Sequence, residues 1–235
     1  MSHSSYIGGE LELFEKATNW KSYWFGFVSA YVRGDVLEVG AGIGANTQLL
    51  SGGEFGHWVC VEPDASLLAQ IPKRVRSHER HVFVVGTLLD LDPEWQFDTV
   101  LYIDVMEHIP DDGDELRRAA ARLKTDGTLI ILSPAHQWLF SPFDEAIGHY
   151  RRYTKKSLTS EMPEVLRLER LMYLDCAGLF ASLMNRIVLN RSMPTERQIL
   201  TWDRLLVPIS VRFDAIFGYR IGKSVLGIWR RQASD

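Results

Sequence analysis

Residues 36–44 have the sequence VLEVGAGIG, a short apolar run that contains one acidic residue and ends in three alternate glycines. Such a run is typical of a buried strand, and the glycines permit backbone angles and close approaches that a Cβ atom would block. A helix is expected to begin near Ala45, and the free N–H groups at a helix start can bind a polar or anionic ligand. The stretch therefore predicts a strand, a turn and a helix that hold a nucleotide-like ligand.

The same glycines also fit a second class of site. Gly40, Gly42 and Ala45 match the G-x-G-x-x-G/A pattern of a dinucleotide-binding turn, and Glu62 follows roughly 20 residues later. A nicotinamide-dependent oxidoreductase is therefore an alternative prediction. The two classes are separated by Glu38, which lies inside the strand just before the first glycine, and by the residues that follow each later strand.

Strands and helices are predicted to alternate between residues 36 and 132. The predicted strands are 36–40, 57–61, 81–85, 98–103 and 128–132, and the predicted helices include 45–51, 64–71 and 112–123. This alternation predicts an α/β fold with a Rossmann-like, doubly wound and mostly parallel sheet. Ligands of such sheets bind beyond the carboxyl ends of the strands, where the glycine turn is also expected to lie.

Several acidic residues complete the pattern around the glycine turn. Taken with the run EHI at 107–109, residues Glu38, Glu62, Asp98 and Asp104 give the sequence a pattern that resembles class I S-adenosylmethionine-dependent methyltransferases of the small-molecule type. The resemblance is clear from residue ~30 to residue ~135, at the scale of βα units of about 30 residues. It implies an enzyme that uses S-adenosyl-L-methionine, releases S-adenosyl-L-homocysteine, and methylates an O, N or C nucleophile of a small metabolite.

The length of 235 residues suits one large α/β domain. We expect a single methyltransferase domain with additions, in which Asn19 caps the second helix of an N-terminal cover. The expected parts are the helical cover at 1–34, a cofactor-binding core at 35–132, and an acceptor loop, helical insertion and last strands at 133–235.

The last third of the chain has a weaker pattern. A strand is predicted near 167–174, and helices are predicted over 177–218 with interruptions at Pro194 and Pro208. The resemblance implies that 224–229 is the antiparallel edge strand of a seven-stranded sheet.

The composition is that of an ordinary globular protein, with 46% hydrophobic and 24% charged residues. Residues 1–5 lack the features of a signal peptide, and the sequence has no apolar run of the ~18 residues that a membrane span needs. Cys60 and Cys176 are the only cysteines and lie far apart in the sequence, so we expect no disulfide framework. A cytoplasmic location is expected.

The charge is divided unevenly along the chain. Residues 1–150 carry 11 basic against 22 acidic residues, whereas residues 151–235 carry 15 against 8. The basic residues either line solvated helix faces or attract an anionic acceptor or a lipid surface. Residues 199–231 interleave apolar and basic side chains, which fits a packed helix or an interfacial helix in peripheral membrane contact. Nucleic acid is not an expected partner.

Cofactor contacts are implied by the resemblance. Glu62 would accept the two ribose hydroxyls, or would instead cap the helix that starts at Asp64. Glu38 would lie near the amino group of the methionine moiety, or would pair with a core arginine. Thr87 stands where the family often has an acidic residue beside the adenine, and Leu88 would stack on the base. The implied cofactor contacts are Glu38, Gly40, Ala41, Gly42, Gly44, Glu62, Pro63, Thr87, Leu88, Asp104, Val105 and Met106.

Three histidines are candidate general bases, because an imidazole with a pKa near 6.5 can accept a proton from an attacking group. His108 would face the acceptor or support its own loop. His136 and His149 lie in the long segment 133–154, beside the expected acceptor pocket. The spacing of His136, Asp144 and His149 matches no zinc motif, and no metal is expected.

Arginines and aromatic residues are the candidate acceptor contacts. Arg151 and Arg152 would clamp an anionic group, or would instead pair with Asp144 or Glu145 and stabilise a lid. The full set of expected acceptor contacts is Tyr6, Trp20, Trp24, Trp138, Arg151 and Arg152. A third interpretation of the chain is a regulatory protein that binds the cofactor without turnover.

Overall fold

Seven strands and ten helices occupy the described part of the chain. The computed structural model describes residues 9–76, 78–188 and 194–233. The strands are β1 (Val36–Val39), β2 (Trp58–Glu62), β3 (His81–Val85), β4 (Phe97–Ile103), β5 (Leu123–Pro134), β6 (Leu166–Leu174) and β7 (Ser224–Arg231). The helices are α1 (Glu10–Glu15), α2 (Thr18–Val28), α3 (Ala45–Leu50), α4 (Ala65–Leu68), α5 (Asp112–Ala121), α6 (Pro142–Ala146), α7 (Lys155–Ser160), α8 (Cys176–Val188), α9 (Glu196–Thr201) and α10 (Val207–Ile216).

The strands form a sheet in the order β3-β2-β1-β4-β5-β7-β6. Strands β1 to β5 pair in parallel, and β7 pairs antiparallel with both β5 and β6. The strand order reverses between β1 and β4, which is where doubly wound sheets bind their ligands. The predicted Rossmann-like fold is confirmed, and the antiparallel strand lies one position inside the outermost strand, β6.

Some predicted boundaries are wrong. The predicted helix 64–71 is only the short α4, followed by a 3₁₀ turn at Ile71–Lys73. Pro208 does not break the helical run, in which it lies in the first turn of α10 directly after a π-helical turn. A π-helical turn at Trp202–Leu206 joins α9 to α10. Strand β5 begins at Leu123 rather than at 128.

The sheet separates two hydrophobic cores. Leu37 and Val39 of β1 pack with residues of α5 in one core, whereas Val36 packs with residues of α2 in the other. Successive strand residues point to opposite faces, so β1 contributes to both cores. Cys60 and Cys176 are buried and unpaired. Among the described residues, every helix is too short or too polar to cross a bilayer.

The N-terminal helices are held by buried carboxylates from the C-terminal part of the chain. Asp203 accepts hydrogen bonds from the backbone N–H groups of Asn19 at 3.2 Å and Trp20 at 2.9 Å. Asp203 therefore caps the start of α2, and the expectation that Asn19 would be the cap is wrong. The Tyr23 hydroxyl donates to Asp214 at 2.8 Å. These bonds hold the predicted helical cover over one face of the sheet.

Candidate functional site

The glycine turn follows β1 directly, as the sequence predicts. Gly40, Gly42 and Gly44 have φ angles of 67°, 55° and 80°, in the left-handed region that glycine adopts without strain. A Cβ atom on Gly40 would lie 2.6 Å from Cγ2 of Val105, so the turn and the loop after β4 are in close contact. Because Gly40 has no side chain, the carboxyl ends of the neighbouring strands β1 and β4 can lie close together.

Glu62 closes this turn from the end of β2. Its Oε2 atom accepts a hydrogen bond from Gly42 N–H at 2.9 Å, and its Oε1 atom accepts one from Asp64 N–H at 3.0 Å. The cap of α4 is the side chain of Asp64, which accepts from Ser66 N–H at 2.8 Å. Burial raises the pKa of Glu62, while the two backbone hydrogen bonds oppose this shift. Glu62 thus fixes the turn.

Glu38 lies beneath the turn, in the core. Its carboxylate accepts a hydrogen bond from the indole N–H of Trp58 at 2.9 Å, so an indole takes the place of the expected core arginine. Burial raises the pKa of Glu38 to about 7, although its hydrogen bonds with Thr47 and Trp58 oppose the shift. The side chain of Glu38 does not line the cavity described next.

A cavity of about 490 Å³ opens beside the glycine turn. Its walls come from both ends of the chain: α1 and α2, the glycine turn, the loops after β4 and β5, α9, and the residues before β7. It brings together nine of the residues predicted for the site, namely Trp20, Trp24, Gly40, Ala41, Gly42, Asp104, His108, His149 and Arg152.

Other predicted cofactor contacts lie outside this cavity. They are Glu38, Gly44, Glu62, Pro63, Thr87, Leu88, Val105 and Met106. Leu88 and Met106 are fully buried in the core. The Thr87 hydroxyl is at the surface and contacts Asp90 at 3.1 Å. Glu62 is the last residue of β2 and Thr87 lies just after β3, so a ligand that met both would extend from the turn along these strand ends.

His136 is separated from the other two candidate bases. Its Nε2 atom lies 3.0 Å from the carbonyl oxygen of Gly222, and its ring packs against Trp138 and Tyr173 with centroid distances of 5.4 and 4.7 Å. Neither His136 nor Trp138 lines the cavity. The structure therefore does not bring His136 to the place where the sequence predicts a base.

The two predicted arginine clamps are already engaged by carboxylates. Arg152 donates to both oxygens of Asp144, from Nε at 2.8 Å and from Nη2 at 2.9 Å. Arg151 pairs with Asp112 and lies outside the cavity, so the structure does not bring it to the expected acceptor pocket. The pairing of Asp144 with an arginine, which was the alternative prediction from the sequence, is the arrangement seen. Tyr6, a further predicted acceptor contact, falls outside the described residues.

His149 is held by Asp144. Its Nδ1 atom lies 2.9 Å from Asp144 Oδ1, and its Nε2 atom lies 3.9 Å from Glu107 Oε1. Burial acts to raise the pKa of Asp144, but hydrogen bonds from His149 and Arg152 outweigh it and hold that pKa well below its usual value. An ionised Asp144 favours the tautomer in which Nδ1 carries the proton, which leaves Nε2 as an acceptor.

Glu107 and His108 complete this cluster. Burial raises the pKa of Glu107 well above its usual value, and burial lowers the pKa of His108 to about 4. The rings of His108 and His149 meet edge to face with centroids 4.5 Å apart. Ligand atoms of Glu107, His108 and His149 all lie within 4.8 Å of one another, so these three side chains could hold a divalent cation.

Charged residues from distant parts of the chain meet in the cavity. Asp104 lines the cavity and has a φ of 56°. Protein surrounds its carboxyl group, and this burial raises the pKa of Asp104 to about 6. Lys21 and Lys223 also line the cavity, and burial lowers the pKa of both. Sequence reasoning missed the two lysines because neither belongs to a motif. The cavity thus offers both signs of charge to a ligand.

The chain is similar in sequence to known methyltransferases. A family model described as a methyltransferase domain matches residues 37–129. The ubiquinone biosynthesis O-methyltransferase of Bradyrhizobium diazoefficiens is 33% identical over 105 residues, which are 44% of this chain and 41% of that protein. The protein of the same name from Rhodopseudomonas palustris is 27% identical over 107 residues, again 44% and 41% of the two chains. The match covers only about two fifths of these relatives.

Solved structures share the fold at low sequence identity. The N-methyltransferase NodS from Bradyrhizobium japonicum, in complex with S-adenosyl-L-homocysteine, is 12% identical with a TM-score of 0.60, over 94% of this chain and 88% of that chain. A sarcosine dimethylglycine methyltransferase assigned in Galdieria sulphuraria is 15% identical with a TM-score of 0.61, over 93% and 85%. Residues 37–129, which include the glycine turn, are thus similar to a methyltransferase domain, and the sheet has the fold of these solved methyltransferases.

Proposed function

We propose that this protein transfers the methyl group of S-adenosyl-L-methionine to an oxygen, nitrogen or carbon nucleophile of a small metabolite. One observation carries the proposal: the glycine turn at 40–42 and the His149–Asp144 pair line the same cavity of about 490 Å³. In this proposal, a nucleotide-type binding turn and a base oriented by Asp144 would face the same space. The bound cofactor would supply an activated methyl group and its leaving group.

The residues around the turn support a cofactor of this kind. The Glu62 carboxylate, which already accepts two backbone hydrogen bonds, has further lone pairs for a pair of ribose hydroxyls. Asp104 would meet a cationic amino group, and Lys21 or Lys223 would meet a carboxylate, because all three line the cavity. Thr87, which is exposed just after β3, would border the adenine. A zwitterionic amino acid tail fits a wall that carries both signs of charge.

The acceptor would occupy the part of the cavity near α2 and the loop after β5. Trp20 and Trp24 supply apolar walls, and His149 would take a proton from an attacking hydroxyl or amine through Nε2. Asp144 would position His149 rather than react, since it bonds to Nδ1. Correct positioning of the reactants can contribute about 7–11 kcal/mol to catalysis, and a general base adds about two to four orders of magnitude.

Calorimetry and methyl-transfer assays together test this function. We expect S-adenosyl-L-homocysteine to bind and NADH not to bind. With a radiolabelled methyl donor and a panel of phenols, amines, carboxylates and lipid-linked metabolites, we expect label on one acceptor class. His149→Gln should lower that transfer by roughly two to four orders of magnitude while the affinity for S-adenosyl-L-homocysteine stays unchanged.

His57→Gln is the matched control, because His57 is exposed and pairs with Asp35 far from the cavity. It should leave both transfer and binding unchanged. Binding of NADH in place of S-adenosyl-L-homocysteine would instead support an oxidoreductase. Binding of S-adenosyl-L-homocysteine with no labelled acceptor in the panel would contradict turnover and support a regulatory protein.

A further inference from the structure

On helix α10 two polar residues are buried, whereas most of its large apolar residues are exposed. Ser210 and Asp214 are fully buried. Large apolar side chains on α10 and on the turns that flank it are exposed by 41 to 70%: Leu205, Ile209, Val211, Phe213, Ile216 and Phe217. Helices on the surface of a water-soluble protein normally have the opposite arrangement. The outward face of α10 therefore lacks an apolar partner among the described residues.

The buried polar residues fix the rotation of this helix. Asp214 accepts hydrogen bonds from the backbone N–H groups of Asp175 at 2.7 Å and Cys176 at 2.9 Å, at the start of α8. The Ser210 hydroxyl donates to Asp175 at 2.7 Å and accepts from Ala177 N–H at 3.0 Å. Turning α10 to bury its apolar side would break all four bonds, so the apolar side must face outward.

The exposed apolar residues form a continuous stripe. Leu205, Ile209, Phe213 and Phe217 are spaced by four residues and lie along one side of the helical segment. More than half of the large apolar side chains that are exposed in the described residues lie between residues 180 and 221. Monomeric proteins rarely expose so many in one region unless the region binds something.

Basic residues border this stripe. Arg204, Arg212 and Arg220 are exposed, whereas the acidic residues of the same segment, Asp203 and Asp214, are buried and hydrogen-bonded. The exposed charge between residues 203 and 220 is therefore all positive. We name the stripe and these three arginines the basic apolar face.

We propose that the basic apolar face docks on the surface of a bilayer that contains anionic phospholipid. The helix would lie in the plane of the interface, with its apolar stripe among the acyl chains and its arginines at the phosphates. A second copy of the chain is a poorer occupant, because a two-fold interface across this face would bring arginines towards arginines. The proposal stands whether or not the protein transfers methyl groups.

The docked orientation would place the cavity beside the membrane. Ser182 of α8 and Trp202 at the start of the π-helical turn line the cavity, while Phe180 and Met184 of α8 and Leu205 of the same turn are exposed. These elements thus separate the cavity from the basic apolar face. A lipid-linked acceptor could pass from the bilayer to the cavity over a short distance.

Vesicle co-sedimentation with the full chain tests the proposal. Wild-type protein should pellet with vesicles of phosphatidylcholine mixed with phosphatidylglycerol, and much less with phosphatidylcholine alone. Replacing Arg204, Arg212 and Arg220 by glutamine should weaken the partition to anionic vesicles roughly a hundredfold. Replacing Ile209, Phe213 and Ile216 by glutamine should weaken it at least about tenfold, because apolar side chains no longer insert.

Matched controls keep the test independent of folding and of the proposed function. Leu89 is an exposed apolar residue outside this face, and Arg117 is an exposed arginine on α5. Leu89→Gln and Arg117→Gln should leave the partition unchanged, and all variants should bind S-adenosyl-L-homocysteine as the wild type does. The membrane proposal would be overturned by equal partition to neutral vesicles or by no partition at all. It would also be overturned if light scattering showed a wild-type dimer that dissociates in the apolar variant.

Discussion

Replacing Glu62 by glutamine tests whether this carboxylate stabilises the glycine turn, because it accepts hydrogen bonds from two backbone N–H groups at the end of β2. Glu62 accepts from Gly42 N–H at 2.9 Å and from Asp64 N–H at 3.0 Å. Glutamine offers one acceptor oxygen, so its NH₂ group must face one of these donors. The loss of a hydrogen bond to a charged acceptor costs about 1.5–3 kcal/mol. Burial raises the pKa of Glu62, which shows that its charge is itself costly, so we expect a net loss of about 1–3 kcal/mol of unfolding free energy.

The same substitution should weaken cofactor binding. If the carboxylate also holds the ribose hydroxyls, its loss raises the dissociation constant for S-adenosyl-L-homocysteine about tenfold to a hundredfold. Calorimetry well below the unfolding midpoint measures this, and urea unfolding measures the stability. Glu54→Gln, at an exposed position after α3, is the control and should change neither quantity. A folded Glu62→Gln protein that binds S-adenosyl-L-homocysteine within about twofold of the wild type would refute this reasoning.

Three further changes should alter stability in urea unfolding. Gly40→Ala places a Cβ 2.6 Å from Val105 Cγ2 at a φ of 67°, and we expect a loss of about 2–4 kcal/mol. Burial raises the pKa of Glu38 from 4.5 to about 7, so between these values the folded protein holds a proton that the unfolded chain releases. The free energy of unfolding of the wild type should therefore fall by about 3 kcal/mol as the pH rises through this window. In Glu38→Gln this decrease should be absent. Asp203→Ala removes the acceptor of Trp20 N–H at the start of α2 and should cost about 1–2 kcal/mol.

Matched variants check these three results. In Gly26→Ala, in the last turn of α2, the added Cβ meets no atom within 4 Å, and the substitution should stabilise the protein by about 0.5–1 kcal/mol. Asp203→Asn keeps an acceptor oxygen and should lose less stability than Asp203→Ala. The reasoning fails if Gly40→Ala is as stable as Gly26→Ala, or if Glu38→Gln keeps the full pH slope of the wild type.

The turn and the strand ends could be predicted because their signals are local. Three alternate glycines after an apolar run leave few backbone conformations, and the structure has positive φ angles at Gly40, Gly42 and Gly44. The regular alternation of predicted strands and helices also predicts that Glu62 lies at the end of a strand. The sequence does not show that Glu62 would hold the turn by accepting from Gly42 N–H, because that bond depends on how the two strands are paired.

The cavity could not be assembled from the sequence, because its walls come from both ends of the chain. Lys21 and Lys223 meet there without belonging to any motif. His136 and His149 lie in one loop, yet the bridge between Ala135 and Tyr153 directs the loop so that only His149 reaches the cavity. The positions of these side chains thus depend on contacts between segments that are distant in the sequence.

Residues 199–231 left two interpretations open, a packed helix and an interfacial helix. The periodicity of α10 does not separate them, because an apolar stripe fits either. The structure shows the stripe outside because Ser210 and Asp214 are needed inside, where they bond to the start of α8. A polar residue that caps a distant helix can therefore reverse the orientation that hydrophobicity alone predicts.

A crystal structure with S-adenosyl-L-homocysteine tests the central claim most directly. We expect the ribose hydroxyls within hydrogen-bonding distance of the Glu62 carboxylate, and the amino acid end of the ligand beside Gly42 and Asp104. A ligand bound elsewhere on the protein, or a glycine turn that stays empty at saturating ligand, would contradict the account.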